Sequence, residues 1–149
     1  KRRKGICKMA YIVKAEGANA FELTQETVES VKFLTNIPLD SDARAKDTGA
    51  TIVITGKIRT AADGDLTDST LKAAKWSHVP AESADAYQKV NIKTIAAGQT
   101  VREITYPDAF VISYAEHYDD ETGVGTFTMT LRQKKDKLDQ IQVAGGYAV

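Results

Sequence analysis

The side chains best suited to proton transfer or metal binding near neutral pH are the two histidines, His78 and His117. They fall in different predicted elements, and neither has a second histidine or a cysteine at the spacing of a zinc site. The single cysteine, Cys7, excludes an internal disulfide and a cysteine-based zinc site. The sequence therefore predicts two surface histidines, no metal site and no bound cofactor.

Three consecutive carboxylates, Asp119, Asp120 and Glu121, are followed closely by two glycines, Gly123 and Gly125. The carboxylates could hold a calcium ion weakly, but the alternating ligand spacing of a calcium loop is absent. The glycines lack the following Gly-Lys-Ser/Thr of a phosphate-binding loop, and they precede a predicted strand instead of a helix. We interpret this segment as a solvated hairpin turn.

Nucleophilic catalysis finds no support either, because the chain lacks the Gly-x-Ser-x-Gly motif of a nucleophile elbow. Aromatic residues recur near the C-terminal half and could form a base-stacking platform: Tyr106, Phe110, Tyr114, Tyr118 and Phe127. A basic stripe beside them is missing, and aromatic residues at alternating strand positions are more often core. We predict no catalytic residue and expect that the chain is not an enzyme.

The chain has 149 residues, the size of one domain with a substantial core. Hydrophobic residues make up 42% and charged residues 27%, which argues against wholesale disorder. The 20 basic and 20 acidic side chains cancel, so sequence-specific nucleic-acid binding is not predicted and association between copies is permitted. No apolar run approaches the roughly 20 residues of a membrane-spanning helix, so we expect no membrane anchor and synthesis in the cytoplasm.

The first eight residues, KRRKGICK, differ from the rest of the chain. They can be interpreted as a disordered basic tail or as a phosphate-binding arm. We favour a translated leader, because Lys-Arg-Arg-Lys-Gly can be encoded by the purine-rich codons of a bacterial ribosome-binding site just before a start codon at Met9. We therefore expect residues 9–149 to form a single domain, and AGG-AGG codons for the two arginines would support this.

Alternating apolar residues and β-branched residues predict a mainly β fold with about seven strands. The main strands are expected at residues 10–16, 26–35, 51–58 and 90–95, with short ones near 21–23 and 141–143. Segment 26–35 also fits a helical face through Val28, Val31 and Leu34, but its Thr and Val residues favour a strand. Gly56 within its strand suggests a bulge or a close backbone approach. Ser and Thr oxygens before residue 70 could cap one helix over 70–76, with Leu71, Ala74 and Trp76 facing the core.

The most regular pattern covers residues 101–133 and predicts a strand, a second strand, a turn and a third strand. In the second strand, Phe110, Ile112 and Tyr114 are expected to share one side. The third strand alternates apolar residues with a polar row, Thr126, Thr128, Thr130 and Arg132. This part of the chain is expected to be an antiparallel sheet whose outer side is rich in threonine and charge.

Taken in order, these segments resemble the tail-tube superfamily, which includes the Hcp tube protein of type VI secretion and the tube proteins of contractile phage tails. The first two strands of that family resemble AYIVKAEG and VESVKFLTNIPL, and its strand and single helix resemble ATIVITGKI and DSTLKAAKW. Its C-terminal strands resemble YQKVNIKTIAAGQTVREITYPDAFVISYAEHYDDETGVGTFTMTLRQKKDK. The last stretch is most similar to tube-like proteins of Firmicutes phages and phage-like contractile particles.

The resemblance implies an antiparallel β-barrel or sandwich with one flanking α-helix. It implies hexameric rings that stack into the inner tube of a contractile phage tail, a phage-like bacteriocin or a secretion system. Sheath and baseplate proteins would then be partners, with assembly in a bacterial cytoplasm and a final place in the tail tube of the particle.

One polar segment without periodicity is too long for a tight turn and is expected to contact the next ring. It consists of Pro38, Leu39, Asp40, Ser41, Asp42, Ala43, Arg44, Ala45, Lys46, Asp47, Thr48 and Gly49. The alternative to a tube subunit is a small β-barrel module that binds a peptide, a glycan or a nucleic acid. An enzyme is a third hypothesis, for which the sequence offers no catalytic residue.

Overall fold

The computed structural model of the chain describes residues 8–36, 49–59 and 69–145. Within them lie the strands β1 (Met9–Glu16), β2 (Phe21–Leu23), β3 (Val28–Asn36), β4 (Gly49–Ile58), β5 (Gln88–Ala96), β6 (Gln99–Asp119), β7 (Val124–Gln133) and β8 (Gln142–Gly145). One α-helix, α1 (Ser69–Trp76), precedes β5, and short 3₁₀ helices occur at Ala84–Ala86 and Lys135–Gln140.

All neighbouring strands are antiparallel, and their order is β2-β1-β5-β6-β7-β4-β3, with β8 also paired to β6. The long strand β6 belongs to two layers. Its N-terminal part, up to about Ala109, lies beside β5 and β8 and forms layer I with β1 and β2. From Ala109 onward it pairs with β7 and forms layer II with β4 and β3.

The two layers enclose one hydrophobic core. Layer I contributes Val13, Leu23, Val90, Ile92 and Ile104, and layer II contributes Ile52, Ile54, Phe127, Met129 and Leu131. The Cα atoms of β1 and β3 come within 8 Å of one another, although no backbone ladder joins these strands among the described residues. This arrangement confirms the predicted mainly β fold with a flanking helix.

The prediction of two separate strands before the hairpin turn is wrong, because β6 is continuous from Gln99 to Asp119. Shifts in register let the strand continue past Pro107 as it passes from one layer to the other. One bulge lies between Val111 and Ser113, so Ile112 is the extra residue of β6. Bulges of this kind bend a strand at the corner where it changes sheets.

The same bulge corrects the expected grouping of Phe110, Ile112 and Tyr114 on one side. Tyr114 pairs with the buried Met129, whereas Phe110 pairs with the exposed Arg132. A strand changes its facing parity at a bulge, so counting alternate residues across it fails. Phe110 therefore lies on the outer face, where its ring packs edge-on against Tyr87 at 5.8 Å.

The predicted helix is confirmed, but its buried face is rotated from the predicted one. Trp76 is buried as expected, whereas Leu71 is 43% exposed and Thr70 and Ala73 are buried instead. The indole N–H of Trp76 donates a hydrogen bond to the carbonyl oxygen of Ala86 at 2.9 Å, which fixes the rotation of the helix. No helix in the described part of the chain is both long and apolar enough to cross a membrane.

The remaining strand predictions agree with the structure to within a few residues. The segment 26–35, which also fitted a helical face, forms β3 because each of its apolar residues finds a partner on β4. Gly56 does lie at a register shift opposite Val28, so the bulge inferred from this glycine is confirmed.

Candidate assembly surface

Layer II has two edge strands, β3 and the C-terminal part of β6. Among the described residues, β3 forms a ladder only with β4, and β6 beyond Ala109 forms a ladder only with β7. Backbone groups along such edges are ready to pair with a strand of another chain. In the described part of the chain, layer II therefore has an unpaired backbone edge on each side.

The directions of these two edges are fixed by the number of strands between them. Neighbouring strands alternate in direction through β3, β4, β7 and β6, as each of the three ladders is antiparallel. Four alternating strands leave the first and the last running in opposite directions. The two edge strands of layer II are thus antiparallel to each other.

The predicted loop residues from Pro38 to Thr48 lie outside the described residues, so the structure does not test their role. Gly49, the last of them, is described, and it is the buried first residue of β4 and not part of a loop. Gly49 pairs with Asn36, so the loop leaves and re-enters the sheet at neighbouring positions. A tight turn of two residues would be enough to join these ends, and segment 37–48 is longer than that.

A cleft of about 1100 Å³ lies at the opposite end of layer II. The register places the loop end near Asn36 and Gly49, whereas the cleft adjoins the β6–β7 turn and the end of β4. Its charged lining residues are of both signs: Glu26, Lys57, Arg59, Asp119 and Asp120. The described residues that line the cleft include neither a nucleophile with an adjacent base nor a convergent set of metal ligands.

On the outer face of layer II, Ser and Thr are the commonest residues, seven among 15. Its cross-strand rows are Leu34–Thr51–Arg132–Phe110, Lys32–Val53–Thr130–Ser113, Ser30–Thr55–Thr128–Ala115 and Lys57–Thr126–His117. We call these residues the hydroxyl face. The hydroxyl groups of Ser30 and Thr55 are 2.7 Å apart and form a hydrogen bond across the strands. The polar threonine row predicted from the sequence is therefore one part of a four-stranded polar surface.

The histidines lie apart, as predicted from their separate elements. His78 is exposed after α1, with Nδ1 3.0 Å from the carbonyl oxygen of Ala74, and His117 is exposed on the hydroxyl face. The part of the chain that the structure describes contains no group of three potential metal ligands from His, Cys, Asp and Glu.

The acidic segment after β6 is a hairpin turn held by its own backbone. The Asp119 carboxylate accepts a hydrogen bond from the Glu121 N–H at 3.0 Å, and the Asp119 carbonyl accepts one from the Gly123 N–H at 2.8 Å. Gly123 has φ +68°, a left-handed conformation that glycine adopts without strain. The turn prediction is confirmed, and Gly123 serves the turn geometry.

The aromatic residues do not form one stacking platform. Tyr106 and Phe127 are buried, and Phe110 lies on the opposite face from Tyr114. Burial raises the pKa of Tyr106 to about 12. Tyr114 and the 65% exposed Tyr118 each donate a hydrogen bond of 2.6 Å to the carboxylate of Glu116.

Glu116 therefore ties together two aromatic side chains along the edge strand of layer II. These three residues follow at alternate positions of β6, which places them on one side of the strand. The hydrogen bonds restrict both rings and stiffen the exposed end of β6. Sequence reasoning missed this arrangement, although the alternate spacing of Tyr114, Glu116 and Tyr118 after the bulge was a signal that could have found it.

No protein-family model and no curated protein matches this chain. Solved structures do match over nearly its whole length. A chain of the PVC sheath–tube complex of an extracellular contractile injection system matches with a TM-score of 0.54 and 11% identity, covering 92% of this chain and 89% of that one. A chain of the PVC sheath/tube terminator matches with a TM-score of 0.54 and 10% identity, covering 97% and 100%.

A third match is a chain of the anti-feeding prophage baseplate, solved with six-fold symmetry imposed. It has a TM-score of 0.52 and 13% identity, and the match covers 97% of this chain and 98% of that chain. At such low identity the likeness concerns the fold. The chain has the tail-tube fold, shared with chains of contractile injection systems.

Proposed function

We propose that the chain is a non-enzymatic structural subunit whose copies join side by side into hexameric rings. The rings stack into the inner tube of a contractile phage tail, a phage-like bacteriocin or a secretion or injection system. The matched structures come from contractile injection systems, and one of them is six-fold symmetrised, which supports six copies per ring.

The observation that carries the proposal is the pair of antiparallel edge strands in layer II. A second copy in the same orientation presents its β3 antiparallel to β6 of the first copy. The contact joins two different edges, so it is heterologous, and a series of such contacts closes into a ring when the rotation per copy fits. Closure also removes every edge of layer II, where an exposed strand would otherwise invite uncontrolled pairing.

The proposed ring extends to stacking and to partners. Segment 37–48 connects the paired residues Asn36 and Gly49 at one end of layer II, and we assign it the role of the inter-ring loop. Sheath proteins would surround the tube and a baseplate would start it. Assembly would take place in a bacterial cytoplasm, and the finished tube would lie in the tail of the particle.

The decisive experiment blocks each edge separately with proline, which cannot donate a backbone hydrogen bond. Of two successive strand residues, one directs its N–H away from the neighbouring strand. We therefore make Val31→Pro and Lys32→Pro on β3, and Glu116→Pro and His117→Pro on β6. From each pair, the variant whose thermal midpoint matches that of wild type at a concentration too low for rings to form is taken forward to light scattering and negative-stain microscopy.

The wild type should form rings, each blocked variant should remain a single subunit, and the two mixed together should form dimers that grow no further. That outcome requires one intact β3 edge to meet one intact β6 edge. If either blocked variant alone forms dimers, the contact is isologous and the proposed ring is wrong. Rings that form from either blocked variant as readily as from wild type would also overturn it.

A further inference from the structure

Most of the hydroxyl face is open among the described residues, although the opposite side of layer II is buried against layer I. Only its first row is partly covered, since Thr51 is buried and Phe110 packs against Tyr87. The other outer positions are mostly exposed or half-buried: Ser30, Lys32, Thr55, Lys57, Ser113, Ala115, His117, Thr126, Thr128, Thr130 and Arg132. Ser and Thr are the commonest residues of the face, and its large apolar residues, Leu34 and Phe110, lie at its margin. Such a surface resists adhesion, because it offers little apolar area to bury.

The charge on this face is one-sided. Lys32, Lys57 and Arg132 are exposed on its rows, whereas the rows contain no carboxylate. Asp119 lies beyond the last row opposite Val124, and Glu29 lies at the bulge of β3. The two ion pairs found among the described residues involve other lysines, Lys134 and Lys137. The face is therefore weakly cationic, except at the end beside the cleft, where Lys57 shares the lining with Glu26, Asp119 and Asp120.

Ring closure through the edges of layer II determines where this face points. The closed ring would contain a continuous barrel made of the layer II sheets, with layer I and α1 attached to one side of it. The side that carries the extra layer needs the larger circumference, so layer I lies outside. The hydroxyl face is left to line the channel.

We propose that the hydroxyl face lines the channel of the ring and favours acidic polypeptide cargo. This inference rests on the proposed function. Exposed ion pairs contribute about 0–1 kcal/mol each and are screened by salt. The few cations of the face therefore attract the carboxylates of an acidic polypeptide but bind them too weakly to stop its passage.

Nucleic acid fits the face less well. A duplex carries one charge per about 1.7 Å of its axis, and cations repeated around a channel would neutralise many phosphates and hold the duplex in place. A single strand needs aromatic side chains for base stacking. The only aromatic ring in the four rows other than His117 is that of Phe110, which packs against Tyr87 at the margin.

The first test locates the face in the assembly with cysteines introduced into a Cys7→Ser background. Thr128→Cys lies on the hydroxyl face, and Lys72→Cys on α1 is the matched exposed control. In rings or tubes, both should react with a small maleimide, but only the control should react with a maleimide coupled to a large globular carrier protein. If, in assembled rings, Thr128→Cys reacts with the carrier-coupled maleimide as fully as Lys72→Cys does, the channel assignment is wrong.

The second test measures charge preference on separate subunits, so it does not depend on ring formation. Fluorescently labelled poly-L-glutamate is titrated at about 0.1 M salt, where distant charges are screened. All three proteins carry the β6-blocking proline so that they stay single subunits: the otherwise wild-type chain, the triple variant K32E/K57E/R132E and the control K14E/K72E/K135E. The two variants carry the same change in net charge, and all six positions are exposed. Thermal unfolding of both variants is measured first to verify that they are folded.

The face variant should bind the probe about tenfold more weakly than the otherwise wild-type chain, whereas the control should stay within about threefold, since only local pairs escape screening. If both variants lose affinity for poly-L-glutamate equally, the hydroxyl face has no preference for acidic polypeptide. Tighter binding of duplex DNA than of poly-L-glutamate, dependent on the same three residues, would replace acidic polypeptide with nucleic acid as the cargo. A wild type that never forms rings would defeat the proposed function without altering this charge measurement.

Discussion

At the scale of single residues, Gly56 shows how a backbone contact requires glycine within a strand. The Thr27 carbonyl oxygen accepts a hydrogen bond from the Lys57 N–H at 2.8 Å and therefore lies directly beside Gly56. A Cβ atom at Gly56 would collide with that oxygen and would lie 2.9 Å from the Phe127 ring. Neither the backbone nor the buried ring can move away easily.

We expect Gly56→Ala to lower the free energy of unfolding by about 3 kcal/mol, since overpacking a rigid site costs this much. Urea unfolding measures the effect. Thr128→Ala on the exposed face of the adjacent strand is the control and should cost less than about 1 kcal/mol. Equal effects of the two substitutions would show that the close approach at Gly56 has no energetic weight.

Tyr106 provides a second residue-scale prediction, which concerns pH. Burial raises its pKa in the folded chain from 10.0 to about 12. Above pH 10 the unfolded chain ionises this hydroxyl first, so the stability due to the neutral buried form is complete below pH 10 and is lost as pH rises towards 12. Tyr106→Phe should therefore reduce the alkaline loss of stability.

The measurement is urea unfolding at a pH near 9 and near 11, which lie on either side of the unfolded pKa of about 10. Tyr118→Phe, at an exposed tyrosine, is the matched control and should keep the wild-type decrease. If the free energy of unfolding of Tyr106→Phe falls between the two pH values as much as that of wild type, ionisation of Tyr106 does not cause the alkaline loss of stability.

At the scale of elements, the sequence predicts the existence of the strands better than their faces. Period-two alternation over β7 identified both its buried and its exposed residues, because nothing interrupts the ladder there. In β6 the bulge at Ile112 reverses the parity, and no residue type announces it. In α1 the apolar Leu71 was expected inside, but the hydrogen bond from Trp76 to Ala86 rotates the helix and buries Ala73.

The inter-ring loop is the element whose role was predicted from sequence and remains a prediction. Deletion of residues 40–46 leaves Ile37, Pro38, Leu39, Asp47 and Thr48 to join the paired residues Asn36 and Gly49, which is ample for a hairpin. We expect the thermal midpoint to change little, rings to persist and tubes to disappear in negative-stain micrographs.

A same-length replacement of residues 40–46 by glycine and serine serves as the control for this deletion. This variant has a loop of the original length but without its charged side chains. If its rings stack into tubes, the loss of stacking in the deletion variant is due to the shorter loop and not to the missing charges. Tubes of normal length from the deletion variant would refute the assigned role of the loop.

At the scale of the whole molecule, composition and patterning predicted a single mainly β domain, because both depend on local residue chemistry. The assembly surface could not be predicted in this way. It depends on which strands are neighbours, and ladder partners such as Thr51 and Arg132 lie far apart in the sequence. Only the strand order reveals that β3 and β6 are the edges of a four-stranded layer and that they run in opposite directions.

Edge pairing between copies also predicts how stability responds to protein concentration. Association that requires folded chains stabilises the folded state by mass action, so the thermal midpoint should rise with concentration. For a domain of this size we expect about 3 °C for each tenfold increase across the range in which rings form. Calorimetry at several concentrations, with light scattering on the same samples, tests this.

Variants with one edge blocked by proline should show a thermal midpoint independent of concentration, because they cannot form rings. A wild-type midpoint that stays constant while rings form would mean that ring contacts survive unfolding or contribute no free energy, and pairing through β3 and β6 would then have to be abandoned.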